Sequence, residues 1–171
     1  MLLVKDHGRI EEMPLPPGFS EGRRGEDADA PGMPDLREFQ VDGEPEVKLC
    51  LYYRGRLMTA RSGEAFSKVL EQKPHVLLNR EIESLQEVLE DASAADYFTP
   101  LSIHTAELAG RTVLVLEGRW KRQQWDTYSI YLKADEEGRA VQQIYLLAPP
   151  ARYPVYLPQV KKMLRDLRWK A

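Results

Sequence analysis

Leu108-Ala-Gly-Arg-Thr-Val-Leu-Val-Leu116, Tyr128-Ser-Ile-Tyr-Leu132 and Val141-Gln-Gln-Ile-Tyr-Leu-Leu147 follow one another in the second half of this chain. Tyr128, Ile130 and Leu132 alternate with Ser129 and Tyr131, which is the period of a strand with one face inward. Val141, Gln143, Tyr145 and Leu147 face one way, Ile144 and Leu146 the other. Val113 to Leu116 is a short continuous apolar run, so that strand is expected to be central and covered on both faces. Ala109-Gly110 and the segment Ala134 to Arg139 supply turns. Three strands joined by short turns predict an antiparallel meander.

Working outward, Leu101, Ile103 and Thr105 alternate before the meander. Earlier still, Val47, Leu49, Leu51 and Tyr53 alternate strictly. Leu36, Phe39 and Val41 are the expected inward residues of a less regular strand, and Gly43 and Pro45 mark the turn between these two. Residues 2–19 read as a short strand, a turn and a Pro-rich extended piece. Residues 20–32 lack any apolar period and read as a flexible loop.

Helical spacing appears in three places. Ala65, Phe66, Val69 and Leu70 follow Ser62, a candidate N-cap, and Pro74 stops that helix. Ile82, Leu85, Val88 and Leu89 form an apolar stripe opposite Glu81, Glu83, Glu87 and Glu90, with Asn79 as candidate cap. Val160, Met163, Leu164 and Leu167 form the inward stripe of a last helix, with Lys161, Lys162, Arg165 and Arg168 outward. Tyr153 and Tyr156, among prolines, read as a packing corner before it. Strands, two helices, strands and a final helix predict an α+β class: an antiparallel sheet flanked by helices, in one domain spanning residues 1–171.

Composition narrows the function. The chain has 171 residues, a net charge of -3 and one cysteine, Cys50. A chain of this length buries enough surface to need no disulfide or metal. Cys50 alone makes neither an internal disulfide nor a Cys-rich zinc site. No run approaches the ~20 apolar residues of a membrane span, and the first residues carry no secretory apolar region, so a cytoplasmic location is expected. Near-neutral charge gives no global attraction to nucleic acid. Charge is polarised, however. Residues 1–45 hold five basic and eleven acidic side chains, whereas residues 151–171 hold six basic and one acidic. Either the two ends meet in one fold, or the basic last helix offers a docking face to an acidic partner.

Motifs that carry chemistry are lacking: there is no phosphate-binding glycine loop, dinucleotide fingerprint, zinc-protease helix, nucleophile elbow or calcium loop. No cofactor, catalytic or metal residue is therefore assigned. His7, His75 and His104 are scattered and read as surface histidines. Cys50 lies opposite the Leu49–Leu51 face, with no neighbouring cation to lower its pKa, and reads as a small buried residue. The strongest candidate site is Arg119-Trp120-Lys121-Arg122-Gln-Gln-Trp125-Asp-Thr-Tyr128. Two tryptophans flank two cations on a hairpin connection, and such side chains dominate protein interfaces. The same tryptophans could instead pack across strands onto the core. Arg119, Trp120, Lys121, Arg122, Trp125 and Tyr128 are the expected partner-binding residues.

Leu15-Pro16-Pro17-Gly18-Phe19 resembles the Leu-Pro-x-Gly-Phe opening of the PsbP-like superfamily. Leu108 to Val113 with the strand to Glu117 resembles that family's turn and central strand. Tyr128–Leu132 and Gln143–Leu147 resemble its paired late strands, and Leu157–Trp169 its closing helix. The departure is Asp166, where the family often has a serine-containing segment. The resemblance implies a central antiparallel sheet with helices on both sides. It also implies a function of binding other proteins. Members by type include extrinsic photosystem subunits, a nuclear-transport GTPase release factor, DcrB-type proteins and Eag-type chaperones of secretion effectors. The expected function is thus a non-enzymatic, cytoplasmic protein-binding module, in its narrower form a chaperone or adaptor, of unknown partner and oligomeric state. Two alternatives stay open. One is an enzyme with a motif-free pocket, for which His104, Asp96 and Arg119 would converge. The other is an immunity protein that inhibits a toxin.

Overall fold

The computed structural model describes residues 2–24 and 35–171. Its elements in chain order are β1 (Leu3–His7), β2 (Ile10–Pro14), β3 (Phe19–Arg24), β4 (Asp35–Val41), β5 (Glu44–Tyr53), α1 (Ala60–Glu71), α2 (Asn79–Ser84) and α3 (Gln86–Leu89). A 3-10 turn (Glu90–Ser93) leads to β6 (Phe98–Leu108), β7 (Arg111–Trp120), β8 (Trp125–Lys133), β9 (Val141–Ala148), α4 (Tyr153–Asp166) and β10 (Arg168–Trp169).

Seven strands form one antiparallel sheet in the order β3-β4-β5-β9-β8-β7-β6. The meander is its second half, and the β4–β5 hairpin joins it by pairing β5 with β9. The pleat sends alternate residues to opposite faces. One face, built from Phe39, Leu49, Leu51, Val113, Val115, Ile130, Ile144 and Leu146, packs under Val160, Met163 and Leu164 of α4. A second, three-stranded sheet β1-β2-β10 adds Ile10 and Met13 to that layer. On the other face Leu114, Leu116, Ile103 and Tyr131 meet Phe66, Val69 and Leu70 of α1 and Leu85, Val88 and Leu89 around α3. The architecture is the α+β sandwich expected, with β7 covered on both sides.

The charged ends do meet. Arg168 pairs with Glu12 at 2.8 Å, and Lys170 pairs with Asp6.

Several expectations need correction. Ser20 to Arg24 is strand β3 rather than loop, because Phe19 anchors the sheet edge and the pairing with β4 continues to Arg24↔Arg37. The rest of the expected loop, residues 25–32, lies outside the described residues. Thr59, not Ser62, caps α1: its side chain accepts the Ser62 N–H at 3.2 Å. Asn79 is the first residue of α2 rather than its cap, and the acidic helix is broken at Leu85. Leu36 is exposed, not inward, and Leu101 is exposed although Ile103 and Thr105 of the same alternation are buried. Leu101 falls at a register shift between Pro100 and Ser102, which releases it from the alternation. Tyr153 and Tyr156 belong to α4, since Pro154 sits in its first turn, where the missing N–H has no partner to lose. His7 is buried rather than superficial. Its ring lies 3.4 Å from Asp35, and its carbonyl accepts the buried Gln142 side-chain N–H at 3.0 Å.

Candidate functional site

The six candidate residues all lie at the β7–β8 hairpin, but the strand period distributes them. Trp120 stands directly opposite both Phe98 and Trp125, while Arg119 stands opposite Thr99 and Asp126. Neighbours along a strand point to opposite faces. The tryptophans therefore share the helix side of the sheet, and Arg119 and Tyr128 take the α4 side. Trp120 is half-buried and packs edge-to-face on Phe98, with ring centroids 4.8 Å apart at 67°. That places part of the pair in the packing role that the sequence left open. Arg119 is held by Asp126 through two hydrogen bonds, 2.7 and 3.2 Å, which raise the guanidinium's pKa further.

Gly118 explains how β6 comes so close beneath this hairpin. A Cβ there would lie 2.4 Å from the Thr99 carbonyl oxygen and 2.6 Å from the Phe98 ring. The turn itself, Lys121 to Gln124, is exposed and tied down at two points. The Lys121 N–H donates to the Tyr97 carbonyl at 2.9 Å, and the Gln124 N–H donates to the Trp120 carbonyl at 2.9 Å. Among the described residues, Lys121 and Arg122 have no carboxylate partner.

The hairpin is a ridge between two clefts. On the helix side α1–α3 cover only part of the sheet. The uncovered floor forms an open cleft of about 400 Å³ lined by Tyr52, Gln143, Tyr145, Ser129, Trp120 and Gln123. The Gln143 side-chain amide donates to Ser129 Oγ at 2.8 Å, so the floor is hydrogen-bonded rather than oily. Arg54 forms the wall. It is 6% exposed, pairs with Glu90 at 2.8 Å and donates to the Glu87 carbonyl at 3.0 Å, capping the end of α3. Burial is the main cause that lowers its pKa, against the opposing pull of Glu90. Burial pushes the thiol of Cys50, the strand partner of Tyr145, up to about 12 and raises the Tyr145 phenol.

On the α4 side a second cleft, about 590 Å³, runs between the hairpin and the helix. Pro100, Leu101, Tyr153 and Leu157 give it apolar walls, and Glu117, Arg119, Lys121 and Asp126 its charged lining. Burial, then Glu117 and Asp126, raise the Tyr153 phenol. Lys161 stands over the Tyr128 ring at 5.2 Å.

The residues considered for an enzyme do not converge. His104 bonds Ser102 through Nδ1 at 2.9 Å and pairs with Val115, four residues along β7 from Arg119, or about 13 Å of strand. Asp96 is exposed on the loop before β6. Among the described residues no group of three or more His, Cys, Asp or Glu is placed to hold a metal ion. His75 lies on the sheet edge instead. Its Nε2 meets Glu81 at 2.9 Å and its Nδ1 meets the Lys73 carbonyl at 2.8 Å.

Sequence reasoning missed both clefts. Their walls come from segments far apart in the chain, Tyr52 with Tyr145 and Leu101 with Leu157, and only strand register brings them together.

No family model and no curated protein sequence matches this chain. A comparison of folds does find a relative in shape: the solution structure of cyanobacterial PsbP (CyanoP) from Synechocystis sp. PCC 6803. It matches with a TM-score of 0.60 over 99% of this chain and 92% of that one, at 13% identity. The fold is PsbP-like, as the sequence resemblance implied. Among the described residues no helix is long and apolar enough to cross a membrane.

Proposed function

We propose that this chain is a non-catalytic protein-binding module, working as an adaptor or chaperone, and that the β7–β8 hairpin makes the contact. One observation carries the reading: the exposed tip Lys121 to Gln124, with two cations lacking carboxylate partners among the described residues, stands between two open clefts. Such a ridge can enter a partner while the clefts on its flanks take the partner's side chains. Trp120 and Arg119 are rigid here, fixed by Phe98 and Asp126, so contact costs them little conformational entropy. The cytoplasm is the compartment that fits a chain with a single buried thiol.

The test compares retention of host proteins by three immobilised chains. These are the wild type, a hairpin variant (K121E/R122E/W125A) and a control variant on the outer face of α1 (R61E/K68E). A specific partner retained by the wild type and the control, but lost by the hairpin variant, is expected. Equal retention by all three, or none by the wild type, refutes the reading.

A further inference from the structure

Tyr153, Leu157, Lys161 and Arg165 are spaced by four and so lie on one side of α4. Tyr153 and Leu157 line the α4-side cleft, and Lys161 continues that row over Tyr128. Tyr153 and Leu157 wall the cleft, and Lys161 and Arg165 follow beyond it on the same side of the helix. Opposite the apolar end stand Pro100 and Leu101, the latter 83% exposed. At the hairpin end stands Lys121.

The charges decide what such a cleft accepts. Most of the molecule's arginines near carboxylates are matched, as in Arg37–Glu21, Arg54–Glu90, Arg152–Glu44 and Arg168–Glu12. Among the described residues Lys121, Lys161 and Arg165 have no such match, although the chain as a whole is acidic. Asp126 is neutralised by Arg119. Glu117, the strand partner of Tyr128, is the other carboxylate of the lining, so the three cations Lys121, Lys161 and Arg165 stand against one carboxylate. A net positive charge remains, with Lys121 at the hairpin end, Lys161 and Arg165 beyond the other end, and apolar surface between. Residues 153 to 165 span about 18 Å of helix, the reach of about five or six residues of extended chain.

Given partner binding at the hairpin, on which this assignment rests, we infer that the cleft receives a short acidic, amphipathic segment of the partner. Its carboxylates lie toward Lys121 at one end and toward Lys161 and Arg165 at the other, with an apolar side chain against Leu101, Tyr153 and Leu157. A concave site with apolar walls suits a peptide better than an anionic membrane, which needs a flat or convex basic face.

The experiment titrates the full chain, by tryptophan fluorescence and amide chemical shifts, with a synthetic hexapeptide that alternates glutamate with leucine and phenylalanine. Controls are the same peptide with lysine for glutamate, and phosphatidylserine vesicles. The acidic peptide is expected to bind saturably and shift residues 99–101, 117–121 and 153–161. Its affinity should fall about tenfold in K121E/K161E and several-fold in L101S. These substitutions are surface changes and leave the melting temperature near the wild-type value. Binding should weaken with added salt. No binding, equal binding of the lysine peptide, preference for vesicles, or an unchanged affinity in K121E/K161E overturns the assignment. The host-protein assay separates the two levels. If K121E/K161E retains the host partner fully, the acidic-segment assignment fails while the hairpin reading stands. If the K121E/R122E/W125A chain retains it, the hairpin reading fails.

Discussion

Substituting Gly118 with alanine tests the geometry that holds the hairpin ridge in place. The new methyl would meet the Thr99 carbonyl oxygen at 2.4 Å and the Phe98 ring at 2.6 Å, both below any comfortable contact. Neither neighbour yields freely. Thr99 is backbone in the β6–β7 ladder, paired with Arg119, and Phe98 is fully packed and held edge-on by Trp120. Overpacking of this kind costs about 1–3 kcal/mol. At about 2–4 °C per kcal/mol for a chain of this size, the melting temperature should fall by about 2–12 °C. Trp120 should report the displacement through a shifted emission maximum. The assay is thermal and urea unfolding of wild type, G118A, F98L and the double variant. A smaller ring-free side chain at position 98 makes room, so the double variant should lose less than the sum of the singles. A G118A chain as stable as wild type, with strictly additive effects, would refute the close approach of β6 and β7.

The His75 imidazole is raised above its ordinary 6.5, first by its hydrogen bond to Glu81, and Glu81 is held below its ordinary 4.5, first by the Leu78 N–H. A raised histidine stabilises fully below its ordinary value and loses that contribution as pH rises through its folded value. The lowered glutamate contributes fully above its ordinary value and loses its share as pH falls through its folded one. Exchange protection of the Leu77 and Thr105 amides, which tie this strap to β6, should therefore be greatest between about pH 4.5 and 6.5, and E81Q should flatten the profile. Protection that does not fall on either side of that range would contradict the pairing. Cys50, buried with its thiol pushed up to about 12, should resist a disulfide reagent at about pH 8 until the chain unfolds, and rapid labelling of the native chain would show the site open. R54A should cost about 1–3 kcal/mol by urea denaturation, because it leaves the Glu87 and Val88 carbonyls of α3 without their donor, with R54K recovering only part; a loss under about 0.5 kcal/mol would make Arg54 dispensable.

Local pattern makes the sheet legible in the sequence. Val113 to Leu116 reads as a doubly covered strand because both its faces are apolar, and the inward stripe of α4 shows in Val160, Met163 and Leu164. Features set by distant contacts are not legible there. His7 is buried by packing against Gln142, 135 residues away, and nothing in its neighbours announces that. Ser20 to Arg24 is polar because an edge strand needs only one anchored face, so its composition resembles a loop. The hairpin stands out as a site through its tryptophans and cations, but their division between two faces needs the strand register. The clefts beside it need the whole topology.

Hydrogen exchange on the chain with its captured partner tests most directly whether partners meet it at the β7–β8 ridge. Added protection confined to Tyr97–Leu101, Gly118–Tyr128 and Tyr153–Lys161 is the expected result. Protection falling instead on the outer faces of α1 and α2, with the hairpin exchanging as in the free chain, would contradict it.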